Sequence, residues 1–432
     1  MTTVARSVSE VGCSLNIDAI VNVLANVLYV VERKKVSLDR AFTLVCRRIK
    51  CSTRELTRED MYNLAHAFIS NYYLVKHVVE KIRGSSYSYR ILARAFIYIK
   101  ARELGLSIPS KLKKAIKRDL PNIDCVLEEI DEPWIRLSYP RWYYEALSKV
   151  MDREELEKML SAMNRRVIWI RINTLRIDVD KAIKIMEREG VTVEQDKRIP
   201  FLVRVVRSSK PVRNLSLFRE GYVIIQDRAS VLTVLALKPE PGMTIYDFAA
   251  APGIKTSLIM QLTENRARVV AADLSLRRLT NMRKLLKKYG VDMDRVDLVL
   301  ADSKTLHLVK RCDAALVDAP CSSSGAIPKD PSIKIFLRRE TIPMKMSSIQ
   351  LGLLINALRH SDTVVYATCS VFPVEGEEVI MKIMQMGFEH RAVDTSIPAS
   401  RGYRVYPIWN KVSRTYPHID DCEGFFIARL ER

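Results

Sequence analysis

No stretch of the 432-residue chain approaches the roughly 18 consecutive apolar residues of a membrane-spanning helix. Residues 1–12, which include Arg6 and Glu10, have no apolar signal core, so a cytoplasmic protein without a membrane partner is expected. No CxxC pair occurs among the eight cysteines at positions 13, 46, 51, 125, 312, 321, 369 and 422, and their density is far below that of a secreted disulfide scaffold. Most of them should be free, buried thiols. Cys46 and Cys51 lack the second pair or histidine cluster that a zinc site needs, and no metal is expected. Proline is absent before Pro109, which leaves the first quarter of the chain free of helix breakers. Neither GxGxxG nor GxxxxGK[ST] is present, which excludes the usual backbone cradles for a diphosphate or triphosphate.

Basic charge, by contrast, is abundant. The chain carries 70 Lys/Arg against 50 Asp/Glu, a net charge of +20, and residues 1–118 alone hold 22 against 9. Such an excess points to a polyanionic partner, although charge by itself does not separate RNA from DNA or anionic lipid. From Asn16 to about Arg118 the apolar spacing is helical, with Ile17, Ile20, Val21, Leu24 and Leu28 on one stripe and Leu64, Phe68, Tyr72 and Val75 on another. Thr57 with Asp60 reads as a helix cap. The basic runs Arg47-Arg48-Ile49-Lys50 and Lys111–Arg118 are solvated helix faces or phosphate contacts. Asn122–Glu132 is acidic and reads as an irregular linker. The aromatic cluster Trp134, Tyr139, Trp142, Tyr143 and Tyr144 beyond it is either a base-stacking platform or, as expected here, packing between domains.

From Val167 the period changes to strand, helix, strand, strand, which describes a small α+β domain. Beyond Pro239-Glu240-Pro241-Gly242 strands and helices alternate, as in a doubly wound α/β sheet. Successive strands end in the small-residue turn Ala249–Thr256, in Asp273, in Asp302 and in Asp318. Acids at those strand ends suit a nucleoside-containing cofactor, and with no phosphate cradle S-adenosylmethionine fits better than a dinucleotide. Two further strands deliver thiols: Cys312–Val317 leads to Asp318-Ala319-Pro320-Cys321, and Thr363–Ala367 leads to Thr368-Cys369-Ser370. Both cysteines should therefore sit at the edge of the sheet where ligands bind, and an acid three residues before one of them makes a reaction centre.

Several segments carry a family likeness. Asp247–Thr256 (DFAAAPGIKT), Asp318–Gly325 (DAPCSSSG), Thr368-Cys369-Ser370 and Gly424–Leu430 (GFFIARL) resemble the RsmB/NSUN family of RNA cytosine-C5 methyltransferases. So do Arg171–Leu175, Gln226–Ser230 and Tyr416-Pro417-His418. Leu56–Ile82 resembles a NusB-like RNA-binding domain, which brings the whole closest to the RsmB type. The resemblance implies a Rossmann-like S-adenosylmethionine-dependent methyltransferase domain preceded by a small RRM-like α+β domain and an all-α NusB-like domain. It implies Cys369 as the nucleophile that attacks carbon 6 of a cytosine, Cys321 as the residue that assists product release, and Asp318 with Lys255 against the base. Ala249, Ala250, Ala251, Pro252, Gly253, Ile254, Lys255, Asp273, Arg278, Asp302 and Asp318 would surround the cofactor. Phe248 and Ile254 depart from the family pattern, and Ile254 leaves Gly253 alone to make the turn.

The expected organisation is 1–121 helical, 122–150 linker and connecting helix, 151–236 small α+β domain and 237–432 catalytic domain. The expected activity is methylation of carbon 5 of a cytosine in RNA, ribosomal first and transfer RNA second, by a monomer. The rival reading is a catalytically silent RNA-binding factor in ribosome assembly.

Overall fold

The computed structural model describes residues 16–432; the expectations for residues 1–12 and for Cys13 lie outside the described residues. The chain divides into two compact units. The first comprises residues up to Arg166 together with Ile327–Arg339, and the second comprises Val167–Ala326 with Glu340–Arg432.

The first unit is helical, as the apolar stripes require. Its main helices are Ile17–Lys34, Leu38–Cys46, Arg58–Ser70, Tyr72–Arg83, Tyr89–Glu103 and Ser110–Asp119. Ile20, Leu24, Leu28, Phe68 and Phe96 lie in one buried core. Thr57 and Asp60 form the expected cap reciprocally: Thr57 Oγ1 accepts from Asp60 N at 3.2 Å, and Asp60 Oδ2 accepts from Thr57 N at 2.9 Å. In the helix Ser110–Asp119, Leu112 and Ile116 face the core while Lys111, Lys113, Lys114, Lys117 and Arg118 are exposed, so the second basic run is one charged helix face.

Three expectations for this unit need correction. The acidic stretch after Asn122 is not wholly irregular, because Ile123–Glu128 is a helix anchored by the buried Ile123. Its acidic residues hid a short apolar signal. The aromatic cluster is packed, as expected, but within the helical unit: Tyr139 and Tyr143 are buried with ring centroids 5.1 Å apart. Cys46 and Cys51 form a disulfide and are therefore not free thiols. Five described cysteines are free, Cys321 and Cys369 among them.

The second unit holds two sheets. Strands β1 (Trp169–Ile172), β2 (Val191–Gln195), β3 (Leu202–Ser208) and β4 (Val223–Ile225) pair in the order β2-β3-β1-β4, all antiparallel. The helix Val179–Arg188 lies between β1 and β2 in sequence, which makes this a ferredoxin-like arrangement.

The larger sheet is built from β5 (Thr244–Asp247), β6 (Arg268–Asp273), β7 (Val296–Leu300), β8 (Cys312–Asp318), β9 (Ser361–Thr368), β10 (Arg391–Val393), β11 (Ser400–Arg401), β12 (Ser413–Arg414) and β13 (Phe426–Glu431). Its order is β11-β12-β13-β9-β8-β5-β6-β7, with β10 paired to β13. The five strands from β9 to β7 are parallel, and β13 runs antiparallel to β9. From β5 the chain winds outward through β6 and β7, then crosses to β8 and β9 on the other side. The order thus reverses between β5 and β8, and the carboxyl ends there form the crevice that open α/β sheets use for ligands. The short antiparallel strands β11 and β12 were not foreseen; at two residues each they carry no readable period.

Candidate active site

β8 and β9 run parallel with Asp318 opposite Ala367, so the two cysteine loops leave the sheet side by side. Hydrogen bonds join them to each other. Ala319 N donates to Ala367 O and Gly325 N to Cys369 O, each at 3.0 Å, and Val371 N donates to Ser324 Oγ at 3.1 Å. This lacing brings Cys321 Sγ to 3.1 Å from Cys369 Sγ. Ser323 Oγ lies 3.6 Å from Cys369 Sγ. The hydrogen bond to Cys369 and burial push the Cys321 thiol well above its ordinary value.

Asp318, at the end of β8, is paired with Lys255, whose Nζ lies 2.5 Å from Asp318 Oδ2. The same ammonium stands 5.6 Å from the centroid of the Phe425 ring. Lys255 is the second residue of the helix Ile254–Leu262, and the turn before that helix depends on Gly253, with φ +96°. A Cβ at Gly253 would lie 2.8 Å from Met282 Cγ, so only glycine fits the turn. Ile254 is simply the first helical residue and needs no left-handed backbone. Phe248 is buried in the core with its ring 4.0 Å from that of Tyr246, which accounts for an aromatic at that position.

On the other side of β5 the turn and β6 form a polar corner. Ala250 N donates to Ala272 O at 3.0 Å. Arg278 donates to Ala251 O and holds Asp273 Oδ2 at 3.1 Å, spanning turn and acid. Next to Asp273, Leu274 is 71% exposed, and Leu300, opposite Asp273 in the β6–β7 register, is 53% exposed. Apolar side chains left in water beside a buried acid suit an adenine plane and a ribose diol, so these residues fit an adenosyl group. Asp302 is engaged locally, with Oδ1 accepting from Lys304 N at 3.0 Å.

Two residues of the site were missed from the sequence. Asp247, at the end of β5, is buried, accepts from Thr256 Oγ1 at 2.7 Å, and is pushed up to about 7 chiefly by burial. Glu375 lies behind both cysteine loops. Asp247 opens the motif Asp247–Thr256 and Glu375 lies just beyond Thr368-Cys369-Ser370, but burial does not announce itself in residue type. His418, quoted with the family motifs, stands edge-on to Tyr416 at 6.0 Å. A cavity of about 630 Å³ lined by Trp169, Asp196, Arg228 and Asp420 lies elsewhere in this unit, and its charges are largely paired with each other.

A family model described as "16S rRNA methyltransferase RsmB/F" matches residues 234–431, and one for the RsmF/B-like ferredoxin-like domain matches residues 139–212. The ribosomal RNA small subunit methyltransferase B of Klebsiella pneumoniae subsp. pneumoniae is 30% identical over 315 residues, 71% of this chain and 69% of that protein. The chain belongs to the RsmB/F family of RNA methyltransferases. Its Escherichia coli relative of the same name is 29% identical over 311 residues, again 71% of this chain and 69% of that protein. Among solved structures, PH0851 superposes with a TM-score of 0.79 at 25% identity, covering 97% of this chain and 100% of its own. A methyltransferase homologue from Pyrococcus horikoshii gives a TM-score of 0.61 at 26% identity, covering 69% and 97% respectively. As an RsmB/F methyltransferase the protein uses S-adenosylmethionine, in agreement with the adenosyl-compatible corner at Asp273.

Proposed function

We propose that this methyltransferase modifies carbon 5 of a cytosine in RNA, ribosomal RNA first, through a covalent adduct between Cys369 and carbon 6. The observation that carries the reading is the 3.1 Å approach of two thiols at neighbouring strand ends. Amino-group methylation needs no nucleophile from the enzyme, because the amine nitrogen attacks the methyl itself, whereas carbon 5 of cytosine is too electron-poor to react unaided. The names of the curated relatives favour ribosomal RNA as the substrate.

Cys369 Sγ adds to carbon 6, forming a C–S bond and pushing the ring's π electrons toward carbon 5. Ala249–Gly253, Asp273 and Arg278 would hold S-adenosylmethionine, which supplies an electrophilic methyl group. Asp318, kept in place by Lys255, would accept from the amino edge of the base and fix the ring against Cys369. Cys321 then serves release: once carbon 5 carries the methyl group its proton passes to water, the freed electrons restore the C5–C6 double bond, the C6–S bond breaks with Cys369 leaving as a thiolate, and the Cys321 thiol hydrogen-bonds that departing sulfur. The base must be unstacked for this attack, so a loop or a flipped nucleotide is the expected target. The exposed lysine face of Ser110–Asp119 supports phosphate contact by the helical unit.

The test is a denaturing gel of Cys321→Ala protein incubated with total RNA and S-adenosylmethionine, beside Cys321→Ala/Cys369→Ala. The single variant is expected to be trapped on RNA and the double variant to stay free, and sequencing the trapped RNA names the substrate. Methyl transfer that survives Cys369→Ala would overturn the nucleophile assignment. Neither adduct nor methyl transfer by the wild type would favour a silent RNA-binding factor.

A further inference from the structure

Each reactive cysteine is followed by a serine, and both serines turn onto the same carboxylate. Ser322 donates its backbone N–H to Glu375 Oε1 at 2.8 Å and its hydroxyl to Oε2 at 2.5 Å. The Ser370 hydroxyl reaches Oε2 at 2.6 Å. Gln350 Nε2 donates to Oε1 at 3.0 Å and also to Pro320 O, the carbonyl just before Cys321, at 3.0 Å. Glu375 is itself tied to β9, since its carbonyl accepts from Tyr366 Oη at 2.8 Å and from Thr368 Oγ1 at 3.2 Å.

A fully buried carboxylate is costly unless its lone pairs are filled, and this one has four donors drawn from both cysteine loops and the helix Thr341–His360. Burial pushes Glu375 above the ordinary carboxylate range, and the serine and glutamine donors oppose that rise. A core serving stability alone could fill this space with apolar side chains at no loss. What the carboxylate adds is a fixed geometry between two backbones that each present a thiol on their other side.

We infer that Glu375 is a positioning residue that sets the separation of Cys369 and Cys321 by clamping the serine that follows each of them. The inference takes its catalytic meaning from the covalent reading above, but the spacing it describes is measurable without RNA. Glu375→Gln replaces one acceptor oxygen with an NH₂ group that must face either the Ser322 N–H or the two hydroxyls. Ser322→Ala/Ser370→Ala removes two donors and leaves Glu375 in place.

The experiment is oxidation of the folded protein by diamide, an azodicarboxamide, without RNA or S-adenosylmethionine. Diamide takes two electrons and two protons from the thiol pair and becomes the hydrazine as the S–S bond forms. Closure is followed by mass spectrometry of the linked peptides that contain Cys321 and Cys369, with circular dichroism as the control for folding. Thiols held at contact should close fast, and Glu375→Gln and the double serine variant should close about tenfold more slowly. Single-turnover methyl transfer should fall in parallel while the KM for S-adenosylmethionine holds, because Glu375 does not line the adenosyl corner. Closure at the wild-type rate in folded Glu375→Gln would overturn the inference. Slowed closure together with no RNA adduct from Cys321→Ala would uphold the spacing role and overturn the covalent reading instead.

Discussion

Gly325 and Gly424 touch backbone to backbone: Gly424 N donates to Gly325 O at 2.9 Å, and a Cβ built on Gly325 would stand 1.8 Å from Gly424 O. One glycine closes the Cys321 loop and the other precedes β13, so their contact locks that loop against the sheet's antiparallel edge. Gly325→Ala must push backbone away from backbone, which should cost 3 kcal/mol or more, roughly. It should also break the Gly325 N to Cys369 O bond. Thermal unfolding with a parallel methyl-transfer assay checks this: a large loss of both is expected, and a variant that melts within a degree of wild type with full activity would show that the contact is dispensable.

Lys255 and Asp318 should act as one unit. With Nζ 2.5 Å from Oδ2, removing either partner leaves the other charge misplaced in a half-buried site. Lys255→Met and Asp318→Asn should each lower single-turnover methyl transfer about 10²-fold. The double variant should be scarcely worse than either single one, as for residues in one hydrogen-bonded pair. Fully additive losses would mean that the two residues serve separate steps.

Asp247 makes a pH prediction. Burial raises its folded-state pKa to about 7, above the ordinary aspartate value that it recovers on unfolding. Between those values the folded state binds more protons than the unfolded one, so stability falls as pH rises through the window. That rise corresponds to roughly 4 kcal/mol lost between pH 4 and pH 7. Asp247→Asn can still accept from Thr256 and should flatten that part of the stability curve. Chemical unfolding of both proteins at pH 4.5 and 7.5 checks the sign: the variant should gain on the wild type at the higher pH, and equal slopes would refute the assignment.

The parts of the site that the sequence made legible are those where chemistry and secondary structure coincide. Cys321 and Cys369 follow apolar runs that are strands β8 and β9, and Asp273 and Asp318 end theirs, so the period placed them all at one sheet edge. Glu375 was illegible because it lies in a short turn, Pro373–Glu375, after the strand, and its meaning comes from partners 25 and 53 residues away. Cys46 and Cys51 were misread for a different reason. The compositional rule that excludes a disulfide scaffold is a statement about the whole chain, and it cannot weigh a single local pair. The segment Ile327–Arg339 was equally hidden. It belongs with the helical unit although it interrupts the catalytic sequence, and nothing in its residues marks the detour except Lys334.

Lys334 carries the last prediction. Its side chain is 1% exposed, and Nζ donates to Ser70 O and Ser138 O at 2.9 Å each and to Asn164 Oδ1, with the Tyr139 ring centroid at 3.6 Å. Burial pulls its pKa well below the ordinary lysine value, while three oxygens and an aromatic face supply the contacts that an ammonium needs. Those oxygens come from three separated stretches of the helical unit, which Lys334 therefore ties to the segment Ile327–Arg339. Lys334→Met keeps most of the stem but leaves the oxygens without a donor, and should cost about 3 kcal/mol or more. Hydrogen exchange locates the loss: amides around Ser70, Ser138 and Asn164 should lose protection together in the variant, whereas unchanged protection there would mean that apolar packing, and not the ammonium, holds the segment in place.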